Sequence, residues 1–129
     1  MALRLDHVAH ATHEVHTLWE ELLEASRGVR GATAIFDDLG DLVGIIERRS
    51  MWLGRDGRPV SLAIVESGIV KILFVTADHR RQGVARSTLA ELAKAVAPVD
   101  AWALPGDRAS KSLYESVGWR ARLLTMRGD

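Results

Sequence analysis

The chain contains no cysteine, so disulfides, thiolate zinc sites and cysteine nucleophiles are excluded together. It also lacks net charge. Over 129 residues, 17 Lys+Arg stand against 17 Asp+Glu, which removes any global electrostatic footprint for nucleic acid or an anionic membrane. No apolar stretch approaches the length of a membrane span, and the opening MALRLDHVAHATHEV holds no apolar segment of a secretion signal. Neither a Walker A loop nor the dinucleotide-binding glycine fingerprint occurs, and repeats, low-complexity tracts and linkers are absent. What is there is 47% hydrophobic and 26% charged, the composition of one folded domain over residues 1–129. A cytoplasmic location with no membrane contact is expected.

Leu3 to Val8 reads as a short strand. Val15, Leu18, Trp19, Leu22 and Leu23 then form one apolar stripe of a helix that ends near Gly28, with Glu14, Glu20, Glu21 and Glu24 opposite. Ala32 to Phe36 reads as a strand, Asp37 to Asp41 as a turn, and Leu42 to Ile46 as its hairpin partner. Asp56-Gly57 is a turn signal, Pro59 to Val65 a strand, Ser67-Gly68 a turn, and Ile69 to Val75 a buried strand. The middle of the chain is thus expected to be an antiparallel meander. Gly83 opens a helix with Val84, Thr88, Leu89, Leu92, Ala93 and Val96 on one face, stopped by Pro98. Val99 to Leu104 reads as a strand, Asp107 as the N-cap of a helix through Val117, and Trp119 to Met126 as a last strand. The layout is α/β of the mixed or α+β kind.

The stretch richest in chemistry runs from Leu73 to Val96. A buried strand leads into a polar loop with Arg80, Arg81 and Gln82, and Gly83-Val84-Ala85 starts a helix. The first N–H groups of a helix lack internal partners and sit at the positive end of its dipole. Small residues at Gly83 and Ala85 allow close approach to the backbone, and Arg80, Arg81 and Arg86 add charge. These features suit a diphosphate. The histidines His7, His10, His13 and His16 recur every third residue, but on a helix each step of three falls about 60° short of a turn. They would not converge on one ion, and no metal is expected.

Arg80-Arg81-Gln82-Gly83-Val84-Ala85, after a strand ending Leu73-Phe74-Val75, resembles the core motif of the GNAT N-acetyltransferase superfamily. A second stretch, Asp107 to Tyr114 followed by Glu115-Ser116-Val117-Gly118-Trp119, resembles the second signature of that family, in which Leu-Tyr leads to Gly and an aromatic. The resemblance covers Ile69 to Trp119. It implies a GNAT-type, mostly antiparallel sheet flanked by helices, with acetyl-CoA bound between splayed strands ending at Val75 and near Leu104. It further implies that pantetheine bonds to the backbone of Leu73, Phe74 and Val75, and that the pyrophosphate sits on the amides of Arg81 to Arg86. Transfer to a primary amine would be direct, with Tyr114 protonating the leaving thiolate; a phenol, ordinarily ionising near pH ~10, still carries its proton at neutral pH. Metal plays no part.

Departures from the family pattern are specific. Asp107 stands where Asn is usual, and keeps the capping oxygen without the amide. Trp102 occupies the position where some relatives carry an acidic base; it would dry that part of the cleft and lower the pKa of an incoming ammonium. Glu66 and Glu47, which match no family position, are candidates for a base acting through water, and Trp52 is an aromatic candidate for the acceptor wall. One helix is expected near the N-terminus where many members have two. A single final strand leaves a sheet edge that a homodimer would cover. Lys111 reads as a surface residue. The alternative reading is a CoA-binding regulatory module without strong catalysis; a nucleic-acid substrate is disfavoured by the charge balance.

Overall fold

The computed structural model describes residues 3–97, 100–103 and 108–121. It opens with strand β1 (Arg4–His7) and helix α1 (His13–Ala25). Thr12 caps the helix, its hydroxyl accepting from the Val15 N–H at 3.3 Å. Val15, Leu18, Trp19 and Leu22 are buried, which is the stripe the spacing predicts. His7 lies in β1 and His13 in α1, so the histidine series does not share one helix.

The next segment departs from expectation. Residues Ala32–Leu39 form helix α2 and Leu42–Glu47 helix α3, where the sequence reads as a strand hairpin. Ala32, Ile35 and Leu39 are buried in α2, and Leu42, Ile45 and Ile46 in α3. Runs this short carry too little period to separate helix from strand. The deciding local feature is Asp41. Its carboxylate accepts the Gly44 N–H at 2.8 Å, so it is an N-cap and not a hairpin turn. Three helices therefore precede the meander, not one.

Strands β2 (Met51–Asp56), β3 (Arg58–Glu66) and β4 (Ile69–Val75) form the meander through the expected turns at Gly57 and Ser67-Gly68. After the turn Ala77–His79 come helix α4 (Val84–Ala95), strand β5 (Asp100–Ala101) and helix α5 (Arg108–Ser116). The sheet order is β1-β2-β3-β4-β5, antiparallel except for the parallel β4–β5 pair. Of the expected strand Val99–Leu104, Asp100 and Ala101 are strand, Trp102 adds one main-chain bond beyond them, Ala103 is not strand, and the ends lie outside the described residues. Trp119 to Ala121 form no strand; the remainder of the expected last strand, and Asp107, also lie outside them.

Helices cover both faces, because β3 alternates. Leu62 and Ile64 join the cluster built by Leu18, Leu22, Leu39 and Ile45, whereas Ser61 meets Thr88 of α4 on the other face. A smaller cluster of Val70, Leu89 and Tyr114 lies with α4 and α5. No helix among the described residues is long and apolar enough to cross a membrane.

Candidate active site

The β4–β5 ladder is short. Ile69 pairs with Asp100 and Val70 with Ala101, and the Trp102 N–H donates to the Val70 carbonyl at 2.9 Å. Beyond that bond β4 continues to Val75 with β3 on one side and, among the described residues, no strand on the other. The β3–β4 register shifts by one residue near Lys71, a bulge that reverses which groups face the open side. The Thr76 N–H bonds to the Val60 carbonyl at 3.0 Å, so alternation turns the main-chain groups of Ile72 and Phe74 toward β3. Those of Leu73 and Val75 then face the opening. Arg80 Nε already donates to the Val75 carbonyl there, at 3.3 Å.

A cavity of about 550 Å³ occupies this opening. Leu73, Phe74, Val75, Arg80, Arg81, Val84, Ala85 and Tyr114, eight of the site residues expected from sequence, line it together. Gln82, Gly83 and Arg86 do not. The Gln82 amide donates to the Asp78 carbonyl at 3.4 Å, and Arg86 Nη2 donates to Ser116 Oγ at 3.1 Å, tying α4 to α5.

The loop entering α4 is shaped by backbone handedness. Arg81 has φ 63° and Gly83 φ 79°, left-handed positions on either side of Gln82. No side chain caps Gly83 among the described residues, so the first-turn N–H groups of α4 lack a protein acceptor there. Arg80 lies with its guanidinium carbon 5.8 Å from the Phe74 ring centroid. Thr76 Oγ1 and His79 Nδ1 share a hydrogen bond of 2.7 Å that braces the loop.

Tyr114 is 6% exposed and stacked on Trp119, with ring centroids 5.5 Å apart and 25° between planes. The end of α5 fixes that stack. The Trp119 N–H returns to the Tyr114 carbonyl at 3.0 Å and the Gly118 N–H to Glu115 at 3.1 Å, a Schellman closure.

Neither a protein-family model nor a curated protein sequence matches the chain. Solved structures do. One is a GNAT-family acetyltransferase from Bacillus cereus, with TM-score 0.70 and 10% identity over 100% of this chain and 90% of that one. Another is a diaminobutyrate acetyltransferase from Paenibacillus lautus in complex with its substrate and coenzyme A, with TM-score 0.59 and 19% identity over 90% of this chain and 74% of that one. A ribosomal-protein-alanine N-acetyltransferase from Brucella melitensis gives TM-score 0.57 and 21% identity over 98% and 100%. The chain has the GNAT fold.

Within this GNAT fold, sequence reasoning missed Lys71. It lines the cavity at the bulge and its side chain is only 12% exposed. Its ammonium reaches Asp38 Oδ2 of α2 at 2.7 Å and Glu66 Oε1 at 3.3 Å, and lies 4.8 Å from the Trp102 ring centroid. Burial disfavours its charge, but the bonds to Asp38 and Glu66 together outweigh that and raise its pKa above the ordinary lysine value. A lone charge inside the apolar run Ile69 to Val75 was the available signal.

Glu66 is bound by Arg48 Nε at 2.6 Å and Ser50 Oγ at 2.9 Å as well as by Lys71. The Arg48 bond, opposed by burial and aided by Ser50 and Lys71, holds its carboxyl below the usual range. So tied, Glu66 is a weak proton acceptor. Glu47 lines a different cavity, with His7 and Arg49. Trp52 stands in β2 with its ring edge-on to His7 at 4.9 Å and is not on the GNAT cleft, whereas Trp102 is. Lys111 sits on the surface beside Glu115 at 4.0 Å. Residues of both α1 and α2 line this cavity of the cleft.

Proposed function

We propose that this protein transfers an acetyl group from acetyl-CoA to a primary amine. The observation that carries the reading is the open edge of β4. It presents the main-chain groups of Leu73 and Val75 in a cavity also lined by Arg80, Arg81 and the buried Tyr114. Pantetheine would bond to that edge as an added strand does, after Arg80 releases the Val75 carbonyl. The pyrophosphate would rest on the first-turn amides of α4, with Arg80 and Arg81 beside it. The diaminobutyrate enzyme of the same fold, solved with coenzyme A, supports this reading.

In the reaction the amine lone pair attacks the thioester carbonyl carbon, and an open-edge N–H of β4 steadies the oxyanion. The C–N bond forms, the C–S bond breaks, and Tyr114 gives its proton to the CoA thiolate. The proton shed by the acylated nitrogen returns through water to the phenolate, so the products are the amide and the free thiol. The incoming ammonium must first lose a proton. Apolar walls and the Trp102 ring favour that loss by desolvation.

The test is thiol release from acetyl-CoA with a panel of amines, paired with calorimetry of CoA binding. Uptake of CoA and amine-dependent release are expected. Uptake without release on any amine would instead indicate a CoA-binding module, and no uptake by folded protein would overturn the reading altogether.

A further inference from the structure

We propose that Lys71 sets the acceptor class: it neutralises Asp38 and Glu66 beneath the cleft, so that the site takes a small primary amine on an apolar body and turns polycations away. The inference rests on the transferase reading above. The wall supplied by α1, α2 and their connection consists of Leu22, Ala25, Val29, Ala32, Ile35 and Phe36, with a single hydroxyl, Ser26, among them. Trp102 and Lys71 complete that part of the cleft.

Among the described lining residues none is acidic, and three, Lys71, Arg80 and Arg81, are cationic. A polyamine or aminoglycoside carries several ammonium groups, and each would need a carboxylate partner or remain in water. The carboxylates that reach the lining residue Lys71, Asp38 and Glu66, are already engaged by it at 2.7 and 3.3 Å, and Glu66 by Arg48 as well. A phenyl or branched alkyl body, by contrast, gains by leaving water against these side chains. Ligand cavities of about 300–1,000 Å³ hold small molecules, and this one, near 550 Å³, must also admit the pantetheine arm.

The experiment measures binding of 2-phenylethylamine and of spermidine to CoA-saturated protein by calorimetry, alongside thiol release from acetyl-CoA with each. Wild-type protein is expected to bind 2-phenylethylamine at least about tenfold more tightly. Lys71→Met frees Asp38 and should narrow that ratio by about tenfold through tighter spermidine binding. Should that variant fail to fold, Val29→Asp, which places a carboxylate on the apolar wall, is expected to move the ratio the same way. Equal or tighter wild-type binding of spermidine, binding of neither amine, or a ratio unmoved in the folded variants would overturn the proposal. The transferase reading fails separately, by absent thiol release while the binding order holds.

Discussion

Ser61 Oγ and Thr88 Oγ1 share a hydrogen bond of 2.7 Å at the buried contact between β3 and α4, and both residues are fully enclosed. Thr88 also donates to the Val84 carbonyl at 2.8 Å, so the pair seats the first turn of the helix whose N-terminus faces the cleft. Gly54, opposite Ser61 in the register, leaves the room for it. A methyl group there would overlap Ser61 Oγ and approach Thr88 Oγ1 to 3.3 Å. Gly54→Ala is expected to lower stability by about 1–3 kcal/mol, read by urea unfolding. A change within about 0.5 kcal/mol would show that the contact gives way freely.

Tyr114→Phe keeps the ring stacked on Trp119 and removes the hydroxyl that the proposed reaction uses as proton donor. No second tyrosine exists in the chain to replace it. The expected outcome is a loss of about 10²-fold or more in kcat, with KM for acetyl-CoA and the melting temperature close to wild type. An unaltered kcat would remove Tyr114 from the proton transfer.

Gly83 has φ 79°, a conformation that side chains resist although open space surrounds it. Gly83→Ala should therefore weaken CoA binding more than it harms the fold, since the strain falls on the loop where the proposed pyrophosphate site lies. Arg81→Ala should weaken CoA severalfold at low ionic strength and less at high salt, because an exposed charge is screened. Calorimetry across a salt series checks both. A salt-independent Arg81 effect would point to packing.

The Glu66 carboxyl is held below its ordinary range, chiefly by Arg48. It therefore contributes stability above the unfolded carboxylate value of about 4.3, and that contribution is lost as pH falls toward the lowered folded value. Melting temperature should decline on acidification below about pH 5, and Glu66→Gln should flatten that decline while lowering stability at neutral pH. Identical pH slopes in the two proteins would contradict it.

Trp102 lies at the cleft, where a carboxylate would be wet and charged. Trp102→Glu is expected to reduce kcat/KM for the amine by removing the dry surface. A sharp rise in turnover with the fold intact would show that a base, and not desolvation, limits the proposed transfer.

Much of this was legible from residue order alone. The strand ending Leu73-Phe74-Val75, the polar loop, the glycine that opens α4 and the Leu-Tyr of α5 are local signals, since each depends on the conformational limits of a few neighbouring residues. Helices α2 and α3 were not legible. Their apolar runs are too short to show a period, and they are helical because they pack on Leu53, Leu62 and Ile64, far away in sequence. The partnership of Lys71 with Asp38 and Trp102 is likewise a tertiary fact, and Asp38 lies 33 positions away in sequence. Sequence order determined where β4 ends and which glycine opens α4, because backbone handedness and helix starts are properties of adjacent residues. Only the folded sheet decided which edge of β4 stays open and which charges lie beneath it, because a one-residue bulge and the packing of distant helices leave no local trace.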